Sequence, residues 1–280
     1  MLLDVKPASD YPLPDLTQML NLSFENYLVP ITFNLPQFLT MIRKDSVDLS
    51  ASRVLISDDQ PAGIALIARR DSPCASRLAA MGIVQSQRGK GAGFWFMEKL
   101  ICEARERNDH AMVLEVIEQN EYALKLYQKC GFQNVRRLIG LIRKDAKEKT
   151  KTSLTEIDLR DAGSLISQHG LPDLPWQLAG ETIAHMNPPA CAFRNGPALI
   201  VISNPAVEHV LIWSLLVEPQ ARGRQLSVKM LRNVIAHHPG KTWHVPAIFP
   251  EEFGKIFERA GFEIEELTQW QMCLNLTDGY

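Results

Sequence analysis

The stretch SQRGKGAG, residues 86–93, sets Gly89, Gly91 and Gly93 at alternate positions around Lys90, after Arg88 and the apolar run AAMGIV. Such residues can hold phosphate on backbone N–H groups, because glycine lets a ligand approach the chain closely. A Walker-type loop would need a glycine five positions before the one in Gly-Lys and Ser or Thr after the lysine; Val84 and Gly91 stand there instead. A dinucleotide fingerprint would put its last glycine at Phe94 and its ribose-binding acid at Glu115, in mid-strand. A third arrangement fits better. Arg88-x-x-Gly91-x-Gly93 closes a strand and opens a helix, so that N–H groups and the positive helix end converge on a pyrophosphate. A flexible turn is the plain alternative, and the residues downstream decide against it.

Those residues are MVLEVI at 112–117 and NEYALKLYQKCGF at 120–132. Glu115 sits among strand apolar residues, where a carboxylate is costly unless it has water, a partner or a function. It is therefore either a working base or the partner of a nearby Arg or amide donor. Asn120 and Tyr127 share one side of the following helix, where Asn120 is also suited to capping. Cys102 and Cys130 read as small apolar fillers without a nearby His.

The elements that must position these groups alternate along the chain. Strands are expected near 2–6, 53–57, 62–69, 76–84, 111–117 and 133–143, with helices near 13–28, 36–44, 91–107 and 120–130. RKDAKEKTKTS at 143–153 is charged and reads as a linker, placed at 145–152 between a first domain, 1–144, and a second, 153–280. The second half repeats the plan, with strands near 153–159, 190–194, 197–203, 208–217, 242–246 and 262–275. Its helices are expected near 161–168, 176–185, 225–237 and 251–260. QRGKGAG is echoed by ARGRQLS, 134 residues on, and LYQKCGF by IFERAGF, 130 residues on. Two motifs recurring in order at nearly one offset indicate an internal duplication.

Composition narrows the partners. Lys and Arg number 30 against 32 Asp and Glu, so no basic excess is available to neutralise a nucleic acid. No stretch approaches a membrane span, and MLLDVKPASD meets Asp4, Lys6 and Asp10 early, so a cytoplasmic location is expected, with no membrane partner. Five scattered cysteines without a CxxC pair point to reduced thiols and no metal.

QRGKGAG, the strand LEV at 114–116 and the helix NEYALKLYQKCGF together resemble the GNAT superfamily of acetyl-CoA-dependent N-acetyltransferases. The resemblance implies an α/β (α+β) fold of two tandem GNAT-like domains, each a mixed, mostly antiparallel sheet flanked by helices on both faces. It implies that Arg88, Gly89, Lys90, Gly91 and Gly93 surround the pyrophosphate of acetyl-CoA. The strand from Met81 to Ile83 would splay from its neighbour and pair with the pantetheine arm, with the Met81 amide near the thioester carbonyl. Tyr127 would protonate the departing thiolate, and Asn120 would bond the arm or an ordered water. The acceptor would be a primary amine of a small molecule or peptide. At neutral pH only about one such amine in a thousand is uncharged, so a base is useful. Glu115 is the first candidate and Glu118 the next, with deprotonation through ordered water as the alternative. SFENYLVPITF at 23–33 would lie over the acceptor site, where Phe24, Glu25 and Tyr27 could recognise a cation.

In the second half Gln225 stands for Gly91, Ser227 for Gly93, Phe257 for Tyr127 and Pro250 for Asn120. Each change removes a function, so this half is expected to keep the fold without binding acetyl-CoA. A sensor that binds acetyl-CoA without turnover is the competing reading for the whole chain; retention of Glu115, Asn120 and Tyr127 argues against it.

Overall fold

A computed structural model describes residues 2–70, 74–144 and 154–277. The expected linker at 145–152 lies outside these residues. Two compact units emerge, one of Met1–Val135 with Gln271–Tyr280, the other of Arg136–Trp270. The units thus depart from a linear division at 144/153: residues 136–143 belong with the second and 271–280 with the first.

In the first unit the order is β1 (Leu3–Pro7), α1 (Leu13–Ser23), α2 (Leu35–Asp45), β2 (Val47–Ser57), β3 (Gln60–Arg70), β4 (Ala75–Ile83), α3 (Ala92–Glu106), β5 (Ala111–Ile117) and α4 (Glu121–Lys129). Strands β1 to β4 form an antiparallel run, and β5 joins β4 in parallel. On the sheet's first face Val54, Ile56, Ile64 and Leu66 meet Leu16 and Leu20 of α1 and Phe38 of α2. Alternation sends the neighbouring Leu55, Ala65 and Ile67 to the other face. They are fully buried, as are Phe96, Met97 and Ala104 along α3. The helix expected at 13–28 ends at Ser23, since Phe24 leaves helical geometry and Asn26 turns left-handed at φ 57°.

The second unit repeats this layering with β6 (Gln133–Arg143, from Arg136 on), β7 (Thr155–Ile157), α5 (Leu159–His169), α6 (Gly180–Ala184), β8 (Cys191–Asn195), β9 (Ala198–Ile202), β10 (His209–Val217), α7 (Leu226–His237), β11 (Thr242–Pro250), α8 (Gly254–Glu258) and β12 (Glu263–Asn275, to Trp270). Ala192, Leu199 and Val201 face α5, while Phe193, Ile200 and Ile202 face α7. The strand expected at 153–159 is short because Asp158 caps α5, its Oδ1 accepting the Arg160 N–H at 2.7 Å. The helix expected at 176–185 divides into a 3-10 turn, Trp176–Leu178, and α6. The tandem α/β fold class read from the sequence is the one observed.

Candidate active site

Strands β4 and β5 are hydrogen-bonded only from Ala75 to Arg77, opposite Ala111 to Val113. Beyond Arg77 they separate. A bulge at Ala79 contributes: Leu66 lies opposite Ala80 and Ile67 opposite Leu78, so one extra residue bends β4. Past the bulge, the Val84 N–H bonds the Ala62 carbonyl on the β3 side, while the Ile83 carbonyl accepts the Arg88 Nε–H at 2.8 Å on the opposite side. Alternation along a strand then directs the N–H and C=O of Met81 into the opening, where no described strand pairs with them. An extended ligand carrying amides could add to this edge.

At the mouth of the opening, Gly91 caps α3 in the left-handed region, φ 85°, with no side chain satisfying the helix's first N–H groups. The first intrahelical bond runs from Trp95 to Gly91, so the N–H groups of Ala92, Gly93 and Phe94 point outward at the positive helix end. A Cβ at Gly91 would meet nothing within 4 Å, so a side chain there would enter the space in front of those N–H groups. Lys90 is exposed beside them.

Arg88 also binds its own backbone. Its guanidinium donates to the Ile83 carbonyl at 2.8 Å, the Ser23 carbonyl at 3.0 Å and the Glu25 carbonyl at 3.2 Å. Through Nε and Nη2 it ties the end of α1 to the end of β4, and the Ile83 carbonyl is thereby occupied. Close approach completes this junction: a Cβ on Gly82 would lie 2.7 Å from that of Ser23.

Tyr127 is 8% exposed on α4, with its ring 5.9 Å from that of Phe132. Burial, with smaller contributions from Tyr27 and Cys130, raises its pKa well above the usual phenol value. It therefore stays protonated at neutral pH, a donor rather than a base. Asn120 caps α4, its Oδ1 accepting the Ala123 N–H at 3.2 Å, while its Nδ2 donates to Tyr27 Oη at 3.3 Å. The segment after α1 is thus fastened to the site: Tyr27 also meets Phe24 edge-to-face at 5.2 Å. Glu25 is exposed, and Glu118 lies in the turn between β5 and α4.

Glu115 is paired. Its Oε2 accepts from Arg77 Nε and Nη2, both at 2.7 Å, and Arg77 reaches Asp45 at 3.5 Å. All three side chains are under a tenth exposed, and the neighbouring carboxylates hold Arg77 charged against the opposing effect of burial. Of the two readings open for Glu115, base or ion-pair partner, the geometry favours the second. Sequence reasoning missed Arg77 and Asp45, which lie 38 and 70 positions before Glu115; the signal was the carboxylate's need for a partner. It also took Cys102 for a filler, whereas that thiol is exposed and donates to Glu106 Oε1 at 3.4 Å. Among the described residues no group of His, Cys, Asp and Glu is placed to hold a metal.

Residues 14–132 match the model of the acetyltransferase (GNAT) family. A GCN5-related N-acetyltransferase from Sphaerobacter thermophilus superposes at a TM-score of 0.70, with 13% identity over 99% of this chain and 97% of its own. A putative acetyltransferase from Pyrococcus horikoshii gives 0.67, with 13% identity, 98% of this chain and 89% of its own. A tandem GNAT protein from the clavulanic acid biosynthesis pathway gives 0.65, with 15% identity and 100% of both chains. At these identities the likeness is one of fold. No curated protein matches the chain in sequence. The family match thus covers residues 14–132, and the chain as a whole has the fold of a tandem GNAT protein.

Proposed function

We propose that the first unit transfers an acetyl group from acetyl-CoA to a primary amine of a small molecule or peptide. The reading is carried by one observation: the unpaired Met81 edge opens beside the glycine-lined start of α3, with Tyr127 on the adjoining helix. Gly89, Gly91 and Gly93 would receive the pyrophosphate on backbone N–H groups, with Lys90 adding charge. The Met81 edge would take the amides of the arm. The amine nitrogen attacks the thioester carbonyl, charge develops on its oxygen, and the Met81 N–H stabilises that charge. As the tetrahedral centre collapses, the C–S bond breaks and the thiolate takes the Tyr127 proton. Asn120 supports this through Tyr27 and the cap of α4. With Glu115 tied to Arg77, the proton leaving the amine goes to solvent through ordered water or to Glu118.

The linear division at 1–144, 145–152 and 153–280 belongs to this proposal as the description of the two sequence repeats, as does a cytoplasmic setting. No described helix is long and apolar enough to cross a membrane. The test is release of CoA thiol from acetyl-CoA across a panel of polyamines, amino acids, aminoglycosides and peptides. Amine-dependent release supports the reading; acetyl-CoA binding without release on any amine would favour a sensor.

A further inference from the structure

The second unit keeps an opening of its own. Strands β10 and β11 pair only from His209 to Leu211, opposite Thr242 to His244, and then separate. A bulge at Trp213 bends β10, since Ile212 lies opposite Ile202 and Ser214 opposite Val201. The Glu218 N–H bonds the Pro197 carbonyl on the β9 side, and the Val217 carbonyl accepts the Arg222 Nε–H at 3.0 Å on the other. By the same alternation the N–H and C=O of Leu215 face the opening.

What fills the surroundings of Leu215 differs from the first unit. A cavity of about 290 Å³ lies there, walled chiefly by Leu, Phe and Ile side chains such as Leu174, Phe249, Ile256 and Phe257. Arg222 is its one charged lining residue, and its Nε and Nη2 are spent on the carbonyls of Val217 and His169. Gln225 and Ser227 stand at the start of α7 in place of glycines, so a diphosphate would meet side chains. Phe257 offers no proton and Pro250 no N–H. The cleft therefore combines one unpaired peptide edge with an apolar chamber and lacks both the phosphate seat and the acid.

We propose that this second cleft binds a neutral molecule bearing an amide-type group and an aliphatic chain. The amide pairs with the Leu215 edge, and the chain enters the space between β10, β11 and α8. Desolvating a neutral amide at such an edge is offset by the bonds it makes there, whereas a phosphate or carboxylate would meet a largely apolar wall whose one cation, Arg222, already donates through Nε and Nη2 to backbone carbonyls. Each methylene of an aliphatic chain that leaves water for this chamber adds to the affinity.

The probe is N-octylacetamide, titrated calorimetrically into the full chain. One site is expected, with the same affinity whether or not acetyl-CoA is saturating. Ile256→Trp, which fills the chamber, should weaken it by about tenfold or more. Because that variant could disturb α8, wild-type protein is also labelled with a diazirine analogue carried on the alkyl chain. Labelled peptides should span 214–217 and 249–257. Competition with acetyl-CoA, labelling centred on 78–94, labelling spread over the surface, or no saturable binding would each overturn the proposal.

Discussion

The two clefts share their backbone and differ in their side chains. Ala79 and Trp213 bulge at matching places, and Arg88 and Arg222 each fasten the last residue of their strand, Ile83 or Val217, to the end of their unit's first helix, α1 or α5. Gly91 and Gln225 both start their helices in the left-handed region, at φ 85° and 57°. Gly131 and Gly261 close the helices that follow, where Phe132 and Phe262 return N–H bonds to Tyr127 and Phe257. Gln225 shows that a residue with a Cβ can hold this turn, so glycine at 91 serves access to the helix start more than the turn itself. The fold survives the loss of the glycines, the tyrosine and the asparagine that the proposed mechanism uses in the first cleft.

The comparison breaks most sharply at the Arg77–Glu115–Asp45 cluster, which has no counterpart among the described residues of the second unit. Leu211 lies opposite His244 as Arg77 lies opposite Val113, and two residues beyond His244 stands Pro246 where Glu115 would be. Arg77→Met leaves two buried carboxylates without their cation and should cost about 3–5 kcal/mol of stability. Urea unfolding measures this, and adding Glu115→Gln should restore part of the loss. A change under 1 kcal/mol, the range of an exposed pair, would show that the cluster is not the buried anchor described.

The next largest effect concerns the helix starts. Gly91→Gln copies the second unit into the first and should weaken acetyl-CoA binding about 10²-fold, since bonds to a charged group are worth about 1.5–3 kcal/mol each. The wild-type chain should bind one acetyl-CoA. A stoichiometry near two, or unchanged affinity in the variant, would erase the distinction between the clefts. Tyr127→Phe, the corresponding copy on α4, should lower turnover by about 10²-fold while leaving acetyl-CoA affinity unaltered. Phe257→Tyr should change neither. Full turnover in Tyr127→Phe would remove the acid from the mechanism.

Much of this was legible because local patterns carried it: the glycine turn, the helix with Asn120 and Tyr127, and the echo of both in the second half fix elements by short-range geometry. The exchange of final strands was not. Both repeats follow their Gly-Phe turn with a long strand, QNVRRLIGLIR or EIEELTQWQMCLN, and either suits either sheet. Which unit each joins is a question of tertiary pairing, on which periodicity is silent. Nor could spacing reveal that Arg88 bonds carbonyls, because an arginine beside a glycine loop looks the same whether it faces a ligand or its own backbone. The pairing of Glu115 was half legible: its cost was visible, its partner was not.

The smallest effect separates the units by acid. His238 lies against Phe193 and Trp243 at ring distances of 5.6 Å and 6.4 Å, with its Nε2 buried and without a hydrogen-bond partner among the described residues. Burial first, then the charges of His237 and Lys241, push its pKa down from 6.5 to about 4. Above pH 6.5 the ring is neutral in both folded and unfolded chains and contributes nothing to the pH dependence. As the pH falls from there toward 4 the unfolded chain takes up a proton that the folded one refuses, so the second unit loses stability across that window. In the first unit Asp48 is also shifted: burial opposes its charge, but the N–H groups of Ala51 and Ser50 and the Arg69 guanidinium outweigh it and lower its pKa. A lowered carboxylate stabilises at pH values above its unfolded pKa of 3.8 and loses that contribution only as the pH falls through the still lower folded value. Hydrogen exchange, corrected for intrinsic rates, should therefore show the amides of β9 and α7 losing protection between about pH 6.5 and 5 before those of β3 and α3. His238→Phe should abolish the difference. Equal loss in both units, or an unchanged profile in the variant, would mean that His238 does not set the acid limit of the second unit.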